Sequence, residues 1–137
     1  MANTTNIDHI EWDGVRGAIH FNLSSDSTAL TAFSILDLSA DLAPAPAAVK
    51  IRTIQLTMYG NFILTLLINA DSNETMFVAE GQTVDASFEM VRDFTDFPGG
   101  AWHADDGAAG FLGDLLLTSS GLANADGFDL VVTFEKD

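Results

Sequence analysis

His9, His20 and His103 are the residues of this chain best suited to metal binding or proton transfer. His103 stands in the run WHADD, beside Asp105 and Asp106, and a histidine–carboxylate cluster can do either kind of work. The run has neither an HExxH nor an HxH spacing, and no second histidine lies close enough in sequence to join it. His20 sits two residues from Asn22 on an alternating stretch, the setting of a strand side chain. Asp105-Asp106-Gly107 and Asp71-Ser72-Asn73-Glu74 resemble fragments of calcium loops. Neither places oxygen ligands at alternating positions with a closing Glu, and Asp and Asn also serve simply to close Asx-turns. Ser119-Ser120-Gly121 lacks the GxSxG frame of a nucleophile elbow. Gly99-Gly100 is followed by no lysine and no helix, so it is not a phosphate cradle. The sequence therefore assigns no catalytic, cofactor-binding or metal-ligating residue, and no cofactor is expected.

The loop that carries His103 also carries Phe94, Phe97 and Trp102. Between Arg92 and Phe111 periodicity disappears and glycines accumulate, which reads as a long loop of functional or capping type. Its aromatics suit stacking on a sugar or insertion into a partner protein, or a loop folded back over one end of the core.

The elements that must hold this loop are strands. Val49 to Ala70 reads as a central hairpin about Gly60-Asn61. Ile54, Leu56 and Met58 share one face of its first arm, and Phe62, Leu64, Leu66 and Ile68 share one face of its second. Ile63 and Leu67 make the second arm apolar on both sides, as in a strand covered twice. Ile7 to Trp12 reads as an edge strand before an Asp13-Gly14 turn, and Ile19, Phe21 and Leu23 alternate after it. Leu30 to Leu38 reads as a strand with Phe33 and Ile35 inward. The Ala-rich stretch that follows has Ser39 as an N-cap, and Pro44 and Pro46 limit it to a turn of helix. Glu74 to Ala79, Gln82 to Val91 and Gly113 to Thr118 complete the set before the closing strand. There Phe128, Leu130, Val132 and Phe134 alternate with Asp129, Val131, Thr133 and Glu135. About eight short strands with regular turns give an all-β fold, an antiparallel β-sandwich or jelly roll. Met1 to Asp8 reads as a flexible arm and residues 9–137 as a single domain.

Composition removes several function classes. The chain has 137 residues, enough for one real core, and 47% hydrophobic content argues against global disorder. Its apolar run FILTLLI ends at Asn69, well short of the roughly 20 residues that span a bilayer. The first residues, MANTTNIDH, lack the basic and apolar regions of a secretory signal. No cysteine is present, so no disulfide framework exists. Five Lys and Arg against 20 Asp and Glu give a net charge of −15, which repels phosphate backbones and anionic membrane. Self-repulsion of that size is easiest to bear where salt screens it, as in a marine or saline habitat.

The last quarter of the chain, AWHADDGAAGFLGDLLLTSSGLANADGFDLVVTFEKD, is a Gly/Ala-rich loop, a short strand, a small-residue turn and a closing strand ending in Glu-Lys. With the acidic, cysteine-free sandwich before it, this resembles the virion structural proteins of tailed phages and haloarchaeal viruses, of the capsid decoration or cement type. The resemblance implies a non-enzymatic role on the capsid surface, bridging neighbouring major capsid subunits, with a homo-trimer or other homo-oligomer as the working unit. Ile7, Trp12, Phe97, Trp102 and Phe111 are the expected partner-interface residues, with the N-terminal arm ordering on contact. Two alternatives stand beside it: a tail, head-completion or fibre-associated virion protein, and a carbohydrate-binding sandwich using Trp102 as its platform.

Overall fold

The computed structural model describes residues 4–26, 29–81, 87–97, 100–104, 107 and 109–137. In chain order its elements are β1 (Thr4–Trp12), β2 (Arg16–Asp26), β3 (Phe33–Leu36), α1 (Leu38–Asp41), β4 (Val49–Tyr59), β5 (Ile63–Ile68), β6 (Glu74–Glu80), β7 (Ser87–Asp93), β8 (Leu115–Ser120) and β9 (Asn124–Lys136). They form two antiparallel sheets, one of five strands in the order β1-β2-β9-β4-β7 and one of four in the order β3-β8-β5-β6. The all-β sandwich expected from the alternation is the observed fold. Among the described residues no helix is long and apolar enough to cross a membrane.

The core is the space between the two inner faces. Ile19, Phe21 and Leu23 of β2, Ile54, Leu56 and Met58 of β4, and Phe128 to Phe134 at even positions of β9 supply one wall. Leu64, Leu66 and Ile68 of β5, with Leu115 and Leu117 of β8, supply the other. Phe21, Phe33, Phe62 and Phe128 meet in its middle with ring centroids about 6 Å apart, the spacing of attractive tilted pairs. Each such side chain contributes about 1.5–3 kcal/mol by leaving water.

Val49 to Ala70 is not a hairpin. β4 pairs with β9 and β7, whereas β5 pairs with β8 and β6, so the chain crosses from one sheet to the other at Gly60-Asn61. Alternation alone fits both outcomes. Two runs with apolar faces can lie side by side in one sheet, or fold over so that those faces meet. Burying Ile54, Leu56 and Met58 against Leu64, Leu66 and Ile68 selects the second. Gly60 has φ +131°, and a Cβ there would overlap the Asp126 carboxylate. The second face of β5 is not covered either: Ile63 is 37% exposed and Leu67 half-buried, on the outward side of the four-stranded sheet.

The expected arm is also largely strand. Thr4 to Ile7 pair with Ser24 to Phe21 of β2, and only residues 1–3 lie outside the described residues. Thr-Thr-Asn-Ile is a polar stretch but a good edge-strand sequence, and polarity of that kind reads as looseness only until the partner strand is known. Leu30 to Leu38 is shorter than expected as a strand. Leu30 instead donates its N–H to Ser119 Oγ (2.8 Å), and α1 begins at Leu38, capped by Asp37 and not by Ser39. Val84 and Ala86 of the expected Gln82 to Val91 strand fall outside the described residues; β7 begins at Ser87.

The long loop folds back on the sandwich. Phe94 N–H donates to Arg52 O (2.8 Å), and Ile51 and Trp102 exchange both backbone bonds (2.9 and 2.8 Å). Asp71 N–H donates to Ala109 O, and Leu112 and Gly113 both donate to Asn69 O. The loop is thereby fixed to both sheets at the end where β2, β4 and β8 begin.

Candidate functional site

Most of the chain's carboxylates for which bonds are seen serve its own turns. Asp13 accepts from Val15 N–H (2.9 Å) and Arg16 N–H (2.7 Å), and the Arg16 bond foremost holds its carboxyl below the usual range. Asp37 caps α1 through Ser39 and Ala40, and its bond from the Ser39 hydroxyl is the main reason its pKa is lowered. Asp93 is lowered likewise, chiefly by the Thr95 hydroxyl at 2.6 Å. Asp114 is the exception. Burial raises its pKa, partly offset by a bond from Leu38 N–H (2.8 Å) and reinforced by the charges of Asp37 and Asp41.

His9 and His20 are cross-strand partners in β1 and β2, and His103 lies apart from them in the long loop. His20 Nε2 lies 3.5 Å from Asp129 Oδ1 on the outward face of the five-stranded sheet. His103 Nδ1 lies 3.2 Å from Asp137 Oδ1, whereas its sequence neighbours Asp105 and Asp106 fall outside the described residues. Among the described residues no three His, Asp or Glu side chains gather to hold a metal.

Four of the expected interface residues come to one end of the sandwich. Trp12 is half-buried, stacks on Phe134 (centroids 5.9 Å, 25° between planes) and donates its indole N–H to Pro44 O (2.9 Å). Trp102 and Phe111 are half-buried and packed against the core. Phe97 is 47% exposed and meets buried Phe94 edge-on at 5.3 Å. Ile7 lies in β1, and its side chain falls outside the described residues. Trp102 packs against the core while part of its surface remains open, and Phe97 stands out from the surface.

A hollow of about 600 Å³ opens beside Trp12. Glu11, Trp12, Arg16, Ala18, Arg52 and Thr133 are among its lining residues. Asp13, Gly17 and Phe134 line it as well. A Cβ on Gly17 would strike Glu11 O and the Phe134 ring, so the glycine is what lets Trp12 lie over Phe134. Arg16 Nε and Arg52 Nε each lie 3.7 Å from one oxygen of Glu135.

Charge is divided unevenly between the sheets. All five basic residues lie on strands of the five-stranded sheet: Arg16, Lys50, Arg52, Arg92 and Lys136. The outward face of the four-stranded sheet carries Ser34, Thr118, Ser120, Ile63, Thr65, Leu67, Thr75 and Val78, with Glu80 at its rim. Val78 is 53% exposed there. On a molecule with net charge −15, this face is nearly free of charge.

Sequence reasoning missed both features. The pairing of Arg16 with Glu135 joins residues at opposite ends of the chain, and no local pattern announces it. The uncharged face was within reach: β3, β5 and β8 contain no Lys, Arg, Asp or Glu, and only the knowledge that they share a sheet was lacking.

No family model and no curated protein matches this chain. Among solved structures, two single-substitution mutants of CBM29-2, a family 29 carbohydrate-binding module, align with 97% of this chain at 10% identity. The alignments cover 79% and 78% of those chains, with TM-scores of 0.35 and 0.31. A likeness of that degree has no bearing on what this chain binds.

Proposed function

We propose that this chain is a non-enzymatic structural protein of a virus particle. It decorates the capsid and stabilises it by bridging neighbouring major capsid subunits. The observation that carries the reading is the outward face of the four-stranded sheet, nearly uncharged, with Glu80 at its rim. Interface cores are depleted in charge, and elsewhere on this acidic body a partner would have to strip water from carboxylates. Here it meets Ser, Thr, Val, Ile and Leu. The resemblance of the C-terminal quarter to virion proteins gives the partner its identity.

The size of the face favours a lattice over a lone partner. Four strands about 4.8 Å apart and about 20 Å long present roughly 400 Å², half of the roughly 800 Å² per side of a standard stable interface. One such contact is weak. Assembly as a trimer on a repeating shell multiplies it through effective concentration.

The test is co-sedimentation of purified protein with assembled shells that lack it. Saturable binding at a fixed ratio to the major capsid protein is expected. Binding to tails or to head–tail junctions instead would move the protein to the rival virion role, and no binding to any particle component would end the reading.

A further inference from the structure

We infer that His9, His20 and Asp129 form a site for a divalent cation of zinc's type on the outward face of the five-stranded sheet, tying edge strand β1 to β2 and β9. The inference does not depend on the capsid reading, whose contact lies on the other sheet. It starts from a strand register. His9 and His20 oppose each other across β1 and β2, and the next pair along, Ile10 with Ile19, belongs to the core side. Opposed residues of an antiparallel pair share a face, with Cβ atoms about 4.5–5.5 Å apart. A bulge at Asp8 produces this match: Ile7 pairs with Phe21, and His9 pairs with His20, the adjacent residue of β2. Without the extra residue, Asp8 and not His9 would oppose His20.

β9 supplies the oxygen ligand. Asp129 pairs with Asn22, two residues from His20 on the same face, and its Oδ1 lies 3.5 Å from His20 Nε2. That separation exceeds the roughly 2.7–2.9 Å of a charge-assisted hydrogen bond. It is close to the roughly 3.3 Å kept by two ligand atoms that each sit about 2.0–2.1 Å from one tetrahedral ion. The two side chains are 33% and 43% exposed, so an ion can reach them from solvent. The neighbouring outward positions carry Glu11, Ala18, Asn22, Val131 and Thr57, none of them a lysine or arginine that would occupy the carboxylate. Two imidazoles with one carboxylate suit zinc, whereas calcium and magnesium take oxygen ligands throughout. The net charge of −15 draws cations in general, and the histidines select among them.

The probe is zinc chloride titrated into the untagged full chain, with calcium chloride as the control for simple attraction to an acidic surface. Calorimetry should show one zinc per chain, and NMR shifts should centre on His9, His20 and Asp129. His9→Ala and His20→Ala should each weaken zinc binding about tenfold to a hundredfold, at least the cost of losing an outer-shell partner. Asp129→Asn keeps the side chain's size and removes its charge, so it tests the site without disturbing the fold, and should weaken binding about tenfold. His103→Ala, which removes the separate pair with Asp137, should bind zinc as the parent does. Zinc should raise the melting temperature of the parent and not of His20→Ala, because the ion binds only where the three strands are joined. No binding at submillimolar zinc, an equal response to calcium, shifts centred on His103 or elsewhere, or full zinc affinity in either the His20 or the Asp129 variant would each overturn the inference.

Discussion

Placing one negative charge on the uncharged face should detach the protein from its shell without unfolding it. Val78 is the position of choice: it is 53% exposed, pairs with Thr65 of β5, and lies on the outward face of edge strand β6. Roughly half of a valine side chain, about 60 Å², is free to be covered, worth about 1.5 kcal/mol at 25 cal/mol per Å². An aspartate loses that gain and adds an unpaired carboxylate to the contact, a further cost of about 1–3 kcal/mol. Val78→Asp should therefore weaken each contact by about 3–4 kcal/mol, on the order of a hundredfold or more. The folded state should lose about 1 kcal/mol or less, the scale of strand preference at an exposed position. The control is Gln55→Asp, which adds the same charge at an exposed position on the other sheet. Co-sedimentation with shells over a concentration series, with circular dichroism melts alongside, separates the possibilities. If both variants bind alike, whether both well or both poorly, the uncharged face is not the docking surface.

Other outcomes follow from the packing and the turns. Phe128→Ala removes a ring that touches Phe21 and Phe62 at about 6 Å, and urea denaturation should show a loss of about 3–5 kcal/mol. Gly17→Val drives a branched side chain into Glu11 O and the Phe134 ring, and should lower stability by about 1–3 kcal/mol with visible loss of Trp12 burial by fluorescence. Acid titration tests the caps. Asp13, Asp37 and Asp93 have lowered folded pKa values, so their contribution is present above the ordinary aspartate pKa of 3.8 and is lost as pH falls below it. Asp114, raised, works in the opposite sense: its charged form is disfavoured in the fold, and its cost appears as pH rises through 3.8 and beyond. Asp93→Asn should flatten the acid limb of the stability curve, and Asp114→Asn should raise stability at neutral pH. An unchanged acid limb in Asp93→Asn would refute the capping account.

Much of the architecture could be read from alternation. Phe128, Leu130, Val132 and Phe134 of β9 point inward as their spacing requires, and so do Ile19, Phe21 and Leu23 of β2. Partner choice could not be read, because period two says which face is buried and not what lies beside or opposite it. The same pattern in Ile54-Leu56-Met58 and Leu64-Leu66-Ile68 therefore fits a pair within one sheet as well as two walls of a sandwich. The aromatics of the 92–111 loop fitted a loop folded back over the core, but not the backbone bridge that ties Trp102 to Ile51, fifty-one residues away in sequence. The hollow was hidden for a similar reason. Its walls come from β1, β2, β4 and β9, and only their register brings Arg16, Arg52 and Glu135 together.

β9 comes last of the strands in chain order, yet it occupies the middle of its sheet, between β2 and β4. Before Asn124 to Lys136 has been synthesised, β2 has only β1 and β4 only β7 to pair with, and each leaves one edge of unpaired backbone beside an apolar face. A nascent polypeptide halted upstream of that point is an incomplete and sticky intermediate, a substrate for chaperones or proteases. Maturation is therefore close to all-or-none: insertion of one late segment joins the β1-β2 and β4-β7 pairs into a single sheet, and polypeptides lacking it should accumulate as aggregates.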